Sequence, residues 1–286
     1  MDNLTALDII KALLPTLKLA GDYACNIQDT VQAQPEKEHF GDNFYATALT
    51  DADLTIQTSI ELALLAQFPH LQFFGEEYEK SYNTKYFKPI SFEEDDLLVT
   101  LDPIDGTRAY LDGLPCFSLV LTIIKARKYE AVFVLQPRRK HYFYALRGKG
   151  AFLGNINDNL ENAQPLKLSS QLQSRKVYLS FALAELKSKL EPDFSTWCSA
   201  TDYSPLQSVP DYLDFIRGDL AGFVIAKGNL IDSAAFAFIT REAGAIVTHF
   251  DGSDFEPFKD INNMRIDGLV IGFNLEIYQE ILSRVN

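Results

Sequence analysis

Apolar positions recur at helical spacing from the start of the chain. Leu7, Ile10, Leu14 and Leu17 lie one or two turns apart, so residues 4–28 read as an amphipathic helix that Pro15 should kink or restart. A polar, charged stretch from Gln32 to Asn43 follows and is expected to be mobile. Thr50-Asp51-Ala52-Asp53 then offers capping oxygens ahead of Leu54, Ile60, Leu64 and Leu65, which predicts a second helix running to about Phe68, where Pro69 stops it. LQFFG reads as a short strand that ends at Glu76-Glu77, and Glu79 to Asp96 as an exposed flap.

Period-two and continuous apolar runs dominate the middle of the chain. Leu97 to Leu101 has the composition of a buried strand, and Phe117–Ile124, Ala131–Leu135 and His141–Leu146 follow at spacings short enough for antiparallel hairpins. Residues 155–175 read as a surface connection. Beyond them come a strand near Val177–Phe181, a helix from Leu183 to Leu190, and a strand near Gly222–Ile225. A helix over Ser233–Ala243 and a strand over Gly268–Gly272 complete the pattern. No internal repeat or Pro/Gly-rich linker interrupts it. The expectation is a mixed α/β chain with an N-terminal lobe over 1–170 and a C-terminal lobe over 171–286, packed as one unit.

The chain has 286 residues and a formal net charge of −13, with 47% of residues apolar. That composition excludes a disordered chain, and the acidic balance argues against a nucleic-acid polymer as partner. Cys25, Cys116 and Cys198 form no C-x-x-C pair, and the four histidines show no paired metal spacing. The N-terminus lacks a basic leader, and no apolar run reaches the ~18 residues of a bilayer span. A soluble, cytoplasmic protein with reduced thiols is expected. An acidic protein can still handle phosphate when cations stand between carboxylate and substrate.

The densest chemistry is Leu101-Asp102-Pro103-Ile104-Asp105-Gly106-Thr107. Two carboxylates three residues apart, at the end of a buried strand, can share a cavity only with a cation between them. Hard divalent metals such as Mg2+ take such oxygen ligands, including the carbonyl of Ile104. Gly106-Thr107 is expected to open a helix whose free N–H groups suit an anion. The alternative is a capped turn with solvated aspartates. Glu76-Glu77 reads either as an exposed acidic turn or as part of the same site, and Asp232 as the cap of the following helix, a metal ligand, or both. Gly148, Gly150 and Gly154 miss the dinucleotide spacing and read as a hairpin turn.

Gly75-Glu76-Glu77, DPIDGT at 102–107 and IDSAAFAFITREAGA at 231–245 resemble the three signature blocks of the inositol monophosphatase family. These are magnesium-dependent, lithium-sensitive phosphomonoesterases that include bisphosphate nucleotidases, histidinol-phosphate phosphatases and a fructose-bisphosphatase branch. Weaker agreement spans LTDAD at 49–53, RGKGAFLG at 147–154, RGDLAGFV at 217–224 and THFDG at 248–252.

The resemblance implies a layered αβαβα sandwich and a homodimer. It also implies two or three Mg2+ per site, held by Glu76, Asp102, the Ile104 carbonyl, Asp105 and Asp232, with Glu77 a secondary ligand at most. Gly106 and Thr107 would bind the phosphate, Asp232 would close the substrate site, and Glu76, Asp105 and Thr107 would carry catalysis by metal-activated water. The substrate would be a small phosphorylated metabolite: an inositol or sugar phosphate, or a 3′-phosphonucleotide.

Three departures stand out. The family's water-activating aspartate falls on Thr47 or, in other branches, Tyr45. The tryptophan and glycine of the last block are Ile231 and Phe236. The glutamate that contacts an inositol ring is Ile225. They favour a substrate other than inositol monophosphate, or a regulatory protein of feeble turnover. Lys227, Arg108 and Arg217 are candidate contacts for an anionic substrate, with solvated surface charge the favoured reading of each, and Tyr78, Tyr82, Tyr86 and Phe87 could stack on a base or sugar, with ordinary packing the favoured reading.

Overall fold

A computed structural model describes residues 4–33, 48–91, 96–259 and 264–285. The chain divides into two compact units, one of residues 1–147 and 152–164, the other of residues 148–151 and 165–286.

In the first unit, α1 (Ala6–Ile27) starts at a capping box between Thr5 and Asp8 and runs through Pro15 without a break. The carbonyl that Pro15 deprives of a donor belongs to Lys11, an exposed position where water can serve it, so the expected interruption does not occur. Ile9, Ile10, Leu13 and Leu17 are fully buried, and each such side chain contributes about 1.5–3 kcal/mol through apolar burial. A second capping box, Thr50 with Asp53, opens α2 (Asp51–Gln67).

Seven strands follow in chain order across one sheet: β1 (Gln72–Gly75), β2 (Leu97–Asp105), β3 (Ser118–Lys125), β4 (Lys128–Gln136), β5 (His141–Leu146), β6 (Gly150–Asn155) and β7 (Gln164–Leu166). β1 and β2 pair in parallel, and β2 to β5 are antiparallel as the short connections require. Between β2 and β3 lies a short helix, α3 (Thr107–Leu111). The core joins α1, α2 and the inner face of the sheet around Phe73, Phe117, Phe133 and Tyr142.

The second unit is built on a five-stranded sheet in the order β11-β12-β10-β8-β9, comprising β8 (Lys176–Leu179), β9 (Ser195–Cys198), β10 (Gly222–Asn229), β11 (Ile246–His249) and β12 (Arg265–Gly272). The helix expected over 183–190 is a 3-10 segment, Phe181–Leu186, followed by the single α-turn α4 (Lys187–Leu190). Sequence patterning missed β9, β11, α5 (Tyr212–Arg217) and α7 (Leu275–Val285), while α6 (Ser233–Glu242) stands where it was expected. Cys25, Cys116 and Cys198 are free thiols. Among the described residues no helix is long and apolar enough to cross a membrane.

Candidate functional site

The parallel pair β1–β2 sets the site. Gly75 stands opposite Leu101, and the Glu76 N–H donates to the Leu101 carbonyl at 2.9 Å, so the main chain of Glu76 emerges beside Asp102. Ligands of parallel strands gather at their carboxyl ends, the end at which these residues stand. Asp102 and Asp105 were expected beyond the strand. Both lie within β2 instead, on either side of a register shift against β3. Pro103 cannot donate to a ladder, and a bulge accommodates it while re-aiming the flanking side chains.

The bulge is tied internally. Asp102 is buried, and its Oδ1 accepts from the Ile104 N–H at 3.1 Å. The Thr107 hydroxyl donates to the Ile104 carbonyl at 2.8 Å. Gly106 has φ +88° and begins α3. A Cβ there would stand 3.0 Å from the Cys116 carbonyl, so glycine is required on both conformational and steric grounds.

Behind Glu76 runs a buried polar ladder that sequence reading overlooked. Gln57 Oε1 accepts from the Glu77 N–H at 2.9 Å, and Gln57 Nε2 donates to Glu61 Oε1 at 3.0 Å. The other Glu61 oxygen accepts from Ser81 Oγ at 2.7 Å and Asn83 Nδ2 at 2.8 Å. Glu61 is fully buried, and Glu77 is 3% exposed. The signal was present: Asp53, Gln57 and Glu61 recur every fourth residue on the helix that also buries Ile56, Ile60 and Leu64. Gly75 leaves room for this ladder, since a Cβ there would fall 2.1 Å from Gln57 Oε1.

Of the flap aromatics, Phe87 packs on Phe73 with ring centroids 5.0 Å apart and Tyr78 stacks on Phe74 at 5.4 Å. Tyr82 and Tyr86 are exposed.

Asp232 belongs to the second unit and caps α6 by accepting from the Ser233 N–H. Its carboxylate also receives the Ser233 hydroxyl at 2.6 Å and the Asn229 side-chain amide at 3.2 Å. The departures Ile225 and Ile231 are buried, and Phe236 lies against Tyr212 with centroids 4.0 Å apart and planes 4° from parallel. Tyr212 in turn stacks on Phe223 at 4.5 Å. Arg108 is engaged by Asp112 one turn on, while Lys227 is exposed. Gly148 and Gly150 sit in the β5–β6 turn with positive φ, and their N–H groups donate to the Glu242 carboxylate. Thr47 and Tyr45 lie outside the described residues.

The sequence model described as "Inositol monophosphatase family" matches residues 15–278. This chain is a member of the inositol monophosphatase family. It is similar to inositol monophosphatase 3 of Solanum lycopersicum, with 28% identity over 73% of this chain and 75% of the relative. It is also similar to the Nus factor SuhB of Haemophilus influenzae, with 25% identity over 68% and 70% of the two chains. The fold superimposes on a solved IMPase/NADP phosphatase with a TM-score of 0.70, at 19% identity over 98% and 95% of the chains.

For an inositol monophosphatase family member the donor set matters most. Glu76, Asp102, Asp105 and the Ile104 carbonyl are hard oxygen donors, without imidazole or thiolate, which suits Mg2+ or Ca2+ rather than a soft transition metal. Among the described residues no three His, Cys, Asp or Glu side chains converge on one metal position. Mg2+ retains several waters and is usually held by only one or two carboxylates, so oxygen donors at adjacent strand ends fit it without a closed protein cage.

Proposed function

We propose that this protein is a Mg2+-dependent phosphomonoesterase acting on a small phosphorylated metabolite of the inositol or sugar phosphate, or 3′-phosphonucleotide, class. The observation that carries the reading is the β1–β2 strand end, where Glu76 emerges beside Asp102 and the bulge leads into Asp105-Gly106-Thr107. Glu76, Asp102, the Ile104 carbonyl and Asp105 would hold the metal ions. The ions would supply water activation and charge neutralisation at the phosphoryl group. The solved relative complexed with Mg2+ and phosphate supports this cofactor class.

The chain's own residues supply placement. The Asp102–Ile104 and Thr107–Ile104 hydrogen bonds hold the loop in one conformation, which leaves the second lone pair of the Ile104 carbonyl for a cation. Gly106 admits the left-handed turn that opens α3, and the N–H groups of residues 106 and 107 would bind the phosphate. The Thr107 hydroxyl would orient the attacking water. The Gln57–Glu61 ladder anchors the main chain at Glu77 and thereby limits how far Glu76 can drift. Ile225, Ile231 and Phe236 stand where the family pattern has a glutamate, a tryptophan and a glycine, which speaks against inositol monophosphate as the substrate.

The test is inorganic phosphate release with Mg2+ from inositol 1-phosphate, 3′-phosphoadenosine 5′-phosphate, histidinol phosphate and fructose 1,6-bisphosphate, beside an Asp105→Asn control. Release that requires Mg2+ and disappears in the variant supports the reading, and the preferred substrate identifies the branch. A second reading, a metal- and phosphate-binding regulatory protein of feeble turnover, is favoured by Thr47 in place of the family's aspartate and by the relatives named Nus factor. Metal binding without release above the variant on any substrate selects it.

A further inference from the structure

The chain between β2 and β3 is a closed excursion from the sheet. Asp105 pairs in register with Ser118, so residues 106–117 leave and return at one place. The excursion contains α3 and the turn after it, and near its base stands Thr107, whose hydroxyl is tied to the Ile104 carbonyl. Its far end is held by a different part of the unit, the last turn of α1.

Gln28 follows α1 as its C-cap and is 4% exposed. Its Nε2 donates to the Tyr110 carbonyl at 3.1 Å and to the Leu114 carbonyl at 2.9 Å. Its Oε1 accepts from Arg138 Nε at 2.8 Å, and Arg138 Nη2 also donates to the Cys25 carbonyl at 3.0 Å. A guanidinium can only donate and a carbonyl can only accept, so the Gln28 side-chain amide has one orientation. Carbonyls at the end of a helix lack intrahelical donors, and Gln28 supplies one. Alongside, the Tyr110 hydroxyl donates to the Ala24 carbonyl at 2.8 Å, and the Tyr110 ring meets Phe117 edge-on with centroids 4.7 Å apart. Apolar burial is non-directional, whereas these hydrogen bonds fix the tilt of the excursion as well as its depth.

We propose that Gln28 is a positioning residue for Thr107: by anchoring residues 110 and 114, with Arg138 locking its amide, it holds the Thr107 hydroxyl and the backbone at 106–107 in the arrangement that a bound phosphate requires. The inference rests on the phosphatase reading for what Thr107 does, and adds the element that keeps Thr107 in place. Tyr110 lies one turn along α3 from Thr107, so a shift at the anchor reaches the base of the excursion directly.

The experiment uses the full chain with saturating Mg2+. Inorganic phosphate is titrated while the Thr107 amide resonance is followed by NMR, and Mn2+ affinity is measured separately by electron paramagnetic resonance. In Gln28→Met, similar in length but unable to form these hydrogen bonds, phosphate affinity and turnover should each fall about tenfold or more, as misplacement from a remote substitution does. Mn2+ affinity should stay unchanged, because β1 and β2 carry those ligands. Arg138→Met, at an exposed position, releases the amide without altering the interior and should weaken phosphate binding in the same sense, so it carries the test if Gln28→Met does not fold. Ile9→Val, a truncation in the buried core of the same helix, should leave phosphate affinity as it is, which separates positioning from general loosening. The proposal is overturned by unchanged phosphate affinity in the folded variants, by equal losses of phosphate and Mn2+ affinity, or by no saturable shift at Thr107 in the unaltered chain. An unaltered chain that binds phosphate at Thr107 without turnover counts against the phosphatase reading alone.

Discussion

The two units solve different problems with sheets of different order. In the first, seven strands follow one another across the sheet, and the parallel pair β1–β2 brings the main chain of Glu76 beside Asp102. In the second, the order β11-β12-β10-β8-β9 brings distant segments together, and Tyr178 packs between Trp197 and Phe223 across neighbouring strands. The carboxylates of the first unit come from two short runs, 75–77 and 102–107, that the β1–β2 pairing brings side by side, whereas the second unit stacks Tyr212 on Phe223 and Phe236.

The sharpest way to break this contrast is at the strand end. Asp105→Asn should lower phosphate release by about two orders of magnitude or more, as loss of a principal charge-stabilising group does, while Lys227→Gln leaves the metal requirement intact. Stopped or continuous phosphate assays at several Mg2+ concentrations measure both. Equal losses in the two variants would remove the division of labour.

The next largest effect concerns the ladder behind Glu76. Glu61→Ala strips the buried partner from Gln57, Ser81 and Asn83 and should cost about 2–4 kcal/mol, read by urea unfolding. Gly75→Ala, whose methyl would collide with Gln57 Oε1, should cost about 1–3 kcal/mol and loosen the same loop. If either variant unfolds at the denaturant midpoint of the unaltered chain, the ladder contributes nothing.

In the second unit the comparable element is aromatic. A double-mutant cycle of Tyr212→Leu and Phe236→Leu should return a coupling of about 0.5–1.5 kcal/mol, given their near-parallel stack. Additive single-variant effects would reduce this wall to generic packing.

The smallest effect is electrostatic. Asp96 accepts hydrogen bonds from Lys88 foremost and then from Ser91, which hold its carboxyl below the usual aspartate range. A carboxyl with a depressed folded-state pKa contributes stability that is present above the unfolded value and is lost as pH falls through the folded one. Lys88 is 46% exposed, so solvent screening keeps the contribution below about 1 kcal/mol. Lys88→Met should flatten the acid limb of the stability curve measured from pH 5 downward; an unchanged limb would show that the pair is energetically silent.

Much of this was legible in the residues. Capping oxygens at Thr50 and Asp232, the glycine at 106 and the antiparallel hairpins after β2 are local matters, determined by side chains within a few positions of one another. The blocks 75–77, 102–107 and 231–245 pointed to the family for the same reason, since each is a short contiguous stretch. Other features depend on partners that no local window contains. Pro15 passes through α1 because the carbonyl it strands faces water. Asp102 and Asp105 belong to a bulge because β3 pairs on both sides of Pro103. Gln57 and Glu61 read as ordinary helix polarity until Glu77, Ser81 and Asn83 arrive from twenty or so residues away to satisfy them. The sequence alone determined which chemical groups exist and how each short segment bends. Tertiary structure decided which buried polar groups meet, because burial and long-range strand register assign each side chain its partners.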